Sequence, residues 1–128
     1  MILQISDTQQ IQINTHLLIA GSSGSGKSVT LHALILSAMK QGYKLALIDP
    51  KRVELSFYKN INNLLLPIAK SSEEAENTIQ NIYDLMESRY KKMDKLEQRQ
   101  SDETSILLVV DEFAELIEQN KKLMQTIE

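Results

Sequence analysis

The stretch from Ile19 to Thr30, IAGSSGSGKSVT, leaves a folding chain little choice. Ahead of it stands a short apolar run, His16 to Ala20 (HLLIA), of the kind that fills a buried parallel strand. Behind it, from Ser28, apolar residues recur at helical spacing: Val29, Leu31, Ala33, Leu34, Ile35, Ala38 and Met39, with Gly42 placed to end the helix. A strand, a tight glycine-serine loop and a helix must therefore follow one another. Gly21, Gly26, Lys27 and Ser28 fit G-x-x-x-x-G-K-[ST] without departure. With Ser22, Ser23, Gly24 and Ser25 between them, the glycines allow successive backbone N–H groups to turn inward around a phosphate. The helix that follows adds its N-terminal dipole. Lys27 would reach the β- and γ-phosphates of ATP, and the Ser28 hydroxyl would bind Mg²⁺. A merely flexible turn has no need of lysine followed by serine at this place.

The rest of the chain supplies a matching frame. At the N-terminus, Ile2, Leu3 and Ile5 are separated from Ile11 and Ile13 by the polar SDTQQ, which predicts a β-hairpin. KLALID, Lys44 to Asp49, reads as a second buried strand stopped by Pro50, and residues 53–58 as a short helix. INNLLLPIA is apolar but irregular, and Pro67 argues against a central strand there. Ser71 and Glu74 form an S-x-x-E capping box. Beyond it, Ala75, Ile79, Ile82, Met86, Tyr90, Met93 and Leu96 mark one amphipathic helix running to about Arg99, with Met86 and Met93 in its core stripe. ILLVV, Ile106 to Val110, is a third buried strand. A closing helix follows from Phe113 to Ile127. Strands alternating with helices imply a parallel sheet. With 128 residues, 42% of them hydrophobic, the chain suits one domain with one core: a hairpin over 1–15 and a nucleotide-binding core over 16–128. So thin a sheet would leave an open edge, to be covered by the hairpin or by a neighbouring subunit.

Asp111 and Glu112 come directly after the third strand. Ligands of open α/β sheets sit outside the carboxyl ends of the strands. Nucleotide hydrolysis there needs one carboxylate for the metal and often a second to activate water. Asp111 is the candidate metal ligand and Glu112 the candidate general base; Lys27 and Glu112 together are the catalytic candidates. An acidic first turn would also suit the dipole of the last helix, so the pair gains its force from the phosphate loop beside it. Asp49-Pro50-Lys51-Arg52 lies at the same rim. Lys91, Lys92 and Lys95 read as a solvated face. Cysteine is absent, which removes disulfides and thiolate metal sites. The two histidines, His16 and His32, have no metal-ligand spacing; His32 reads as a helix-flank residue. A net charge of −3 argues against a globally basic nucleic-acid binder, though not against a local basic patch. No apolar run is long enough to cross a bilayer.

Taken together, HLLIAGSSGSGKSV, LIDPKRVELSFY, MESRYKKM and ILLVVDEFAEL resemble the motor core of the FtsK/SpoIIIE DNA translocases, in the same order, from about His16 to Leu116. The phosphate loop and the acidic pair alone would say only P-loop ATPase; DPKRVELSFY is the more specific segment. The resemblance implies an α/β, RecA-like P-loop fold, a parallel sheet flanked by helices. It implies a cytoplasmic ATPase that works as a ring, usually hexameric, and moves double-stranded DNA through its channel. Family roles fall on Lys27 and Ser28 in the phosphate loop and on Asp111 and Glu112 in the Walker B position, while Asp49 and Lys51 match the DPK element. The family core continues with further strands, a polar sensor and an arginine finger, so the resemblance describes a core cut short one helix after Asp111-Glu112. Two other readings stay open: a nucleotide-binding switch or assembly module without turnover of its own, and the ATPase domain of a protein-secretion system.

Overall fold

The computed structural model describes residues 1–13, 27–52, 54–97 and 104–112. The strand expected at 16–20, the loop residues Gly21, Ser22, Ser23, Gly24, Ser25 and Gly26, and the closing helix from Phe113 lie outside the described residues. The elements are β1 (Ile2–Gln4), β2 (Gln10–Gln12), α1 (Lys27–Lys40), β3 (Lys44–Ile48), a 3₁₀ turn (Ser56–Tyr58), α2 (Ser72–Lys95) and β4 (Ile106–Val110).

β1 and β2 form the expected antiparallel hairpin, with Leu3 opposite Ile11. The hairpin lies against α1 and forms a sheet of its own, so it does not cover an edge of the β3–β4 pair. Leu3 is fully buried, and the Gln4 N–H donates to the Ser37 hydroxyl at 2.7 Å. That bond satisfies a polar group that α1 buries on its inner face.

α1 ends where Gly42 takes φ 76°. The Tyr43 N–H donates to the Ala38 carbonyl and the Gly42 N–H to the Met39 carbonyl, both at 3.0 Å. This pair of bonds is a Schellman motif, and a left-handed residue at its turn favours glycine. Not every apolar residue of the predicted stripe faces inward: Val29, in the first turn, is 73% exposed.

β3 and β4 run parallel in register, Lys44 opposite Ile106 through Ile48 opposite Val110. Side chains alternate across the pair, as strand geometry requires. Leu45, Leu47 and Val109 join the Leu34, Ile35 and Ala38 side of the core, while Ile48 packs with Ala75 and Ile79 of α2. Helices thus cover both faces, which explains why these strands read as unbroken apolar runs. The other edge of β3 is bridged at Leu64 and Ala69. Here Leu45 and Asp49 donate to the Asn63 and Ala69 carbonyls, while Leu65 and Ala69 donate to those of Leu45 and Leu47. Pro67, with no N–H to offer, stands between the two bridges, which accounts for the interruption.

The capping box forms with one change. The Ser71 hydroxyl accepts from the Glu74 N–H at 3.1 Å, but the Glu74 carboxylate accepts from the Lys70 N–H, one residue ahead of the cap. α2 stops at Lys95, short of Arg99, and Glu97 just beyond it has φ 55°. Its core stripe is also shorter than its sequence period. Ala75, Thr78 and Ile79 are buried, whereas Met86, Tyr90 and Leu96 are exposed and Met93 only half-buried. Among the described residues, the later half of the stripe is therefore not part of the core. The short helix expected at 53–58 reduces to the 3₁₀ turn Ser56–Tyr58.

Candidate functional site

The site gathers at the carboxyl end of the parallel pair. β3 and β4 end in register, so the next residues, Asp49 and Asp111, emerge side by side. The Asp111 N–H continues the ladder by donating to the Ile48 carbonyl at 3.0 Å. Both carboxylates are buried, Asp49 to 1% exposure and Asp111 to 5%.

Asp49 is spent on the backbone. Its carboxylate accepts from the Arg52 and Leu55 N–H groups, each at 3.1 Å. These two hydrogen bonds fold the segment after β3 back over the strand end, where Arg52 takes φ 61°. Asp49 thus stands just beyond β3, where its carboxylate sets the loop that carries Lys51 and Glu54.

Asp111 faces a different partner. Lys27, the first residue of α1, places Nζ 3.6 Å from Asp111 Oδ1 and 3.9 Å from Glu112 Oε1. Lys51 Nζ lies 4.0 Å from the other oxygen of Glu112. Burial pushes the Asp111 carboxyl above the usual carboxylate range; Lys27 pulls the other way, and Asp49 and Glu112 add to the rise. Glu112 has φ 58°, a left-handed conformation that costs a non-glycine residue on the order of 1–3 kcal/mol. The turn brings its side chain back beside both lysines. Lys27 therefore meets Asp111 and Glu112, more than eighty positions away in the sequence.

Ser28 is in the next position of α1, and its hydroxyl donates to Glu54 Oε1 at 3.0 Å. The second oxygen of Glu54 is 3.4 Å from His32 Nε2, and His32 Nδ1 is hydrogen-bonded to the Tyr58 hydroxyl. Glu54 and His32 were not foreseen as site residues. The available signal was the spacing of Ser28 and His32, one helical turn apart on one face of α1, opposite a glutamate in the DPKRVELSFY segment.

Among the described residues, no cluster of three or more His, Cys, Asp or Glu side chains could hold a metal ion by itself. The donors present are a serine hydroxyl and a buried carboxylate. Such an oxygen set suits Mg²⁺, which takes one or two protein ligands and completes its shell with phosphate and water. No helix among the described residues is long and apolar enough to cross a membrane.

The family model for the FtsK/SpoIIIE family matches residues 3–127. "DNA translocase FtsK" of Streptococcus pyogenes serotype M6 is 37% identical over 125 residues, covering 80% of this chain and 16% of the relative. The protein of the same name from Treponema pallidum (strain Nichols) is 40% identical over 130 residues, covering 87% of this chain and 16% of the relative. That from Staphylococcus epidermidis (strain ATCC 12228 / FDA PCI 1200) is 35% identical over 136 residues, covering 87% and 17%. The chain thus spans 16 or 17% of the length of these relatives. The last alignment is longer than the 128-residue chain itself, so the relative carries residues within the matched region that have no counterpart here.

Proposed function

This chain belongs to the FtsK/SpoIIIE family, and we propose that it binds Mg-ATP and hydrolyses it as part of a motor that moves double-stranded DNA. The observation that carries the reading is the meeting of Lys27 with Asp111 and Glu112 at the carboxyl end of β4. A phosphate-loop lysine and two acids after an apolar strand have little reason to converge in a protein that handles no phosphate. The full set Gly21, Ser22, Ser23, Gly24, Ser25, Gly26, Lys27 and Ser28 would cradle the phosphates, in a nucleotide-binding core of residues 16–128 preceded by a hairpin over 1–15.

The site's own residues account for the chemistry. Lys27 is held by two carboxylates beyond hydrogen-bond distance, and one of them is solvent-accessible. Asp111 is buried, so the ammonium would turn to a triphosphate only as a magnesium ion takes its place beside that carboxylate. Ser28 and Asp111 would hold Mg²⁺, which when bound neutralises charge developing on the transferred phosphoryl group. With Lys27 turned to phosphate, the Glu112 oxygen that faced it would accept a proton from the attacking water. Lys51 Nζ, 4.0 Å from the other oxygen of Glu112, would help to orient that carboxylate. In the family reading, copies of this core assemble in a ring in the cytoplasm, and duplex DNA is the cargo. A nucleotide switch without turnover and a protein-secretion ATPase are the other readings.

The test is ATP turnover by the purified chain with and without long duplex DNA. DNA-stimulated turnover that Lys27→Ala abolishes is the expected result. Magnesium-dependent binding without turnover would turn the reading to a switch, and turnover indifferent to DNA would turn it to the secretion branch.

A further inference from the structure

We propose that Glu54 is a positioning residue for the Ser28 hydroxyl, fixing the rotor so that an oxygen lone pair, and not the O–H, is offered to the magnesium ion. The proposal rests on the nucleotide reading above.

A serine hydroxyl can act as donor or as acceptor, and its hydrogen rotates to suit its surroundings. Left to itself it would present the O–H to a phosphate or to water as readily as a lone pair to a cation. In this structure the O–H is committed: it donates to Glu54 Oε1 at 3.0 Å. A charge-assisted bond of this kind is stronger than one to a neutral acceptor, and it makes the serine oxygen a better donor to a cation. The remaining lone pairs then lie away from Glu54.

Glu54 is itself held from behind. Its other oxygen faces His32 Nε2 at 3.4 Å, and His32 Nδ1 is bonded to the Tyr58 hydroxyl. The directions are mutually consistent: the phenol donates to Nδ1, Nε2–H donates to the carboxylate, and the carboxylate accepts from Ser28. Tyr58 is buried and follows Leu55, whose N–H is fixed by the carboxylate of Asp49. The loop that carries Glu54 is therefore tied to the end of β3, so Ser28 is oriented by a rigid element and not by a free side chain. Glu54 is a half-buried side chain on a surface loop, outside both core clusters, so its replacement leaves the core intact.

The experiment titrates a fluorescent ATP analogue into the chain with magnesium or with EDTA. Partners behind a metal ligand commonly change metal affinity roughly 10- to 100-fold. Glu54→Ala should lose that much of the magnesium-dependent gain in affinity and keep the affinity seen in EDTA. Glu54→Gln, which retains an acceptor oxygen, should restore most of the gain, and His32→Ala should show a smaller loss of the same kind. An unchanged magnesium gain in Glu54→Ala, an equal loss with and without magnesium, or no restoration by Glu54→Gln would each overturn the proposal. Failure of the unsubstituted chain to bind the analogue at all would overturn the nucleotide reading and this proposal with it.

Discussion

Lys27 Nζ stands 3.6 Å from Asp111 Oδ1, so the first side chain of α1 reaches the first residue beyond β4. The contact joins a residue from the start of the core to one near its end, across a buried parallel pair. It also sets a conflict: Asp111 is buried beside Asp49 and Glu112, and Lys27 only partly offsets that.

Asp111→Asn should therefore stabilise the nucleotide-free protein at neutral pH. The folded-state pKa of Asp111 is raised, so the folded form holds its proton more tightly than the unfolded form. Its contribution to stability falls as pH rises through the interval from the ordinary carboxylate value upward. Thermal melts at pH 7 should show a higher Tm for Asp111→Asn, with the difference shrinking as pH drops below the ordinary carboxylate range. The same variant should lose magnesium-dependent nucleotide affinity, since sites of function are commonly costly to the fold.

Glu112→Gln should separate binding from turnover. The amide keeps the size of the side chain but cannot take up a proton as a carboxylate does. Turnover measured at saturating ATP should fall roughly 10²- to 10⁴-fold, while the affinity for ATP stays close to that of the unsubstituted chain.

Ser71→Ala should destabilise the protein by about 1 kcal/mol, read from urea denaturation. The hydroxyl satisfies the Glu74 N–H at the start of α2, and alanine leaves that donor to water. Glu74→Ala should add to the loss, because its carboxylate also accepts from Lys70.

The two ends of the α2 stripe should respond differently. Ile79 is buried against Ile48 and Ala69, and Ile79→Ala should cost about 2–5 kcal/mol. Met86 is exposed, and Met86→Lys should change stability by no more than about 0.5 kcal/mol. Equilibrium denaturation of the two variants side by side distinguishes a stripe that is core throughout from one that leaves the core midway.

Much of this was legible in the residues because the signals were local. ILLVV gave β4 to the residue, and Gly42 marked the end of α1 by its conformation alone. Asp111 and Glu112 were legible as site candidates from their place after an apolar strand and from the rule that ligands lie at the strands' carboxyl ends. What escaped was set by tertiary geometry. The period of α2 persists through Met86 and Tyr90, but periodicity records which face is apolar and not whether that face is covered. Asp49 read as a rim charge because nothing in DPKR reveals that its carboxylate folds back on the Arg52 and Leu55 N–H groups. The Ser28–Glu54–His32 chain joins α1 to a loop some two dozen positions away, which no helical or strand period connects.

The most direct test of the central claim, that Lys27 gives up its acidic partners to grip a triphosphate, is the equilibrium affinity for Mg-ATP of the chain and of Lys27→Ala by titration calorimetry. The account predicts binding by the unsubstituted chain and its loss in Lys27→Ala. Equal binding by both, or binding by neither, would contradict it.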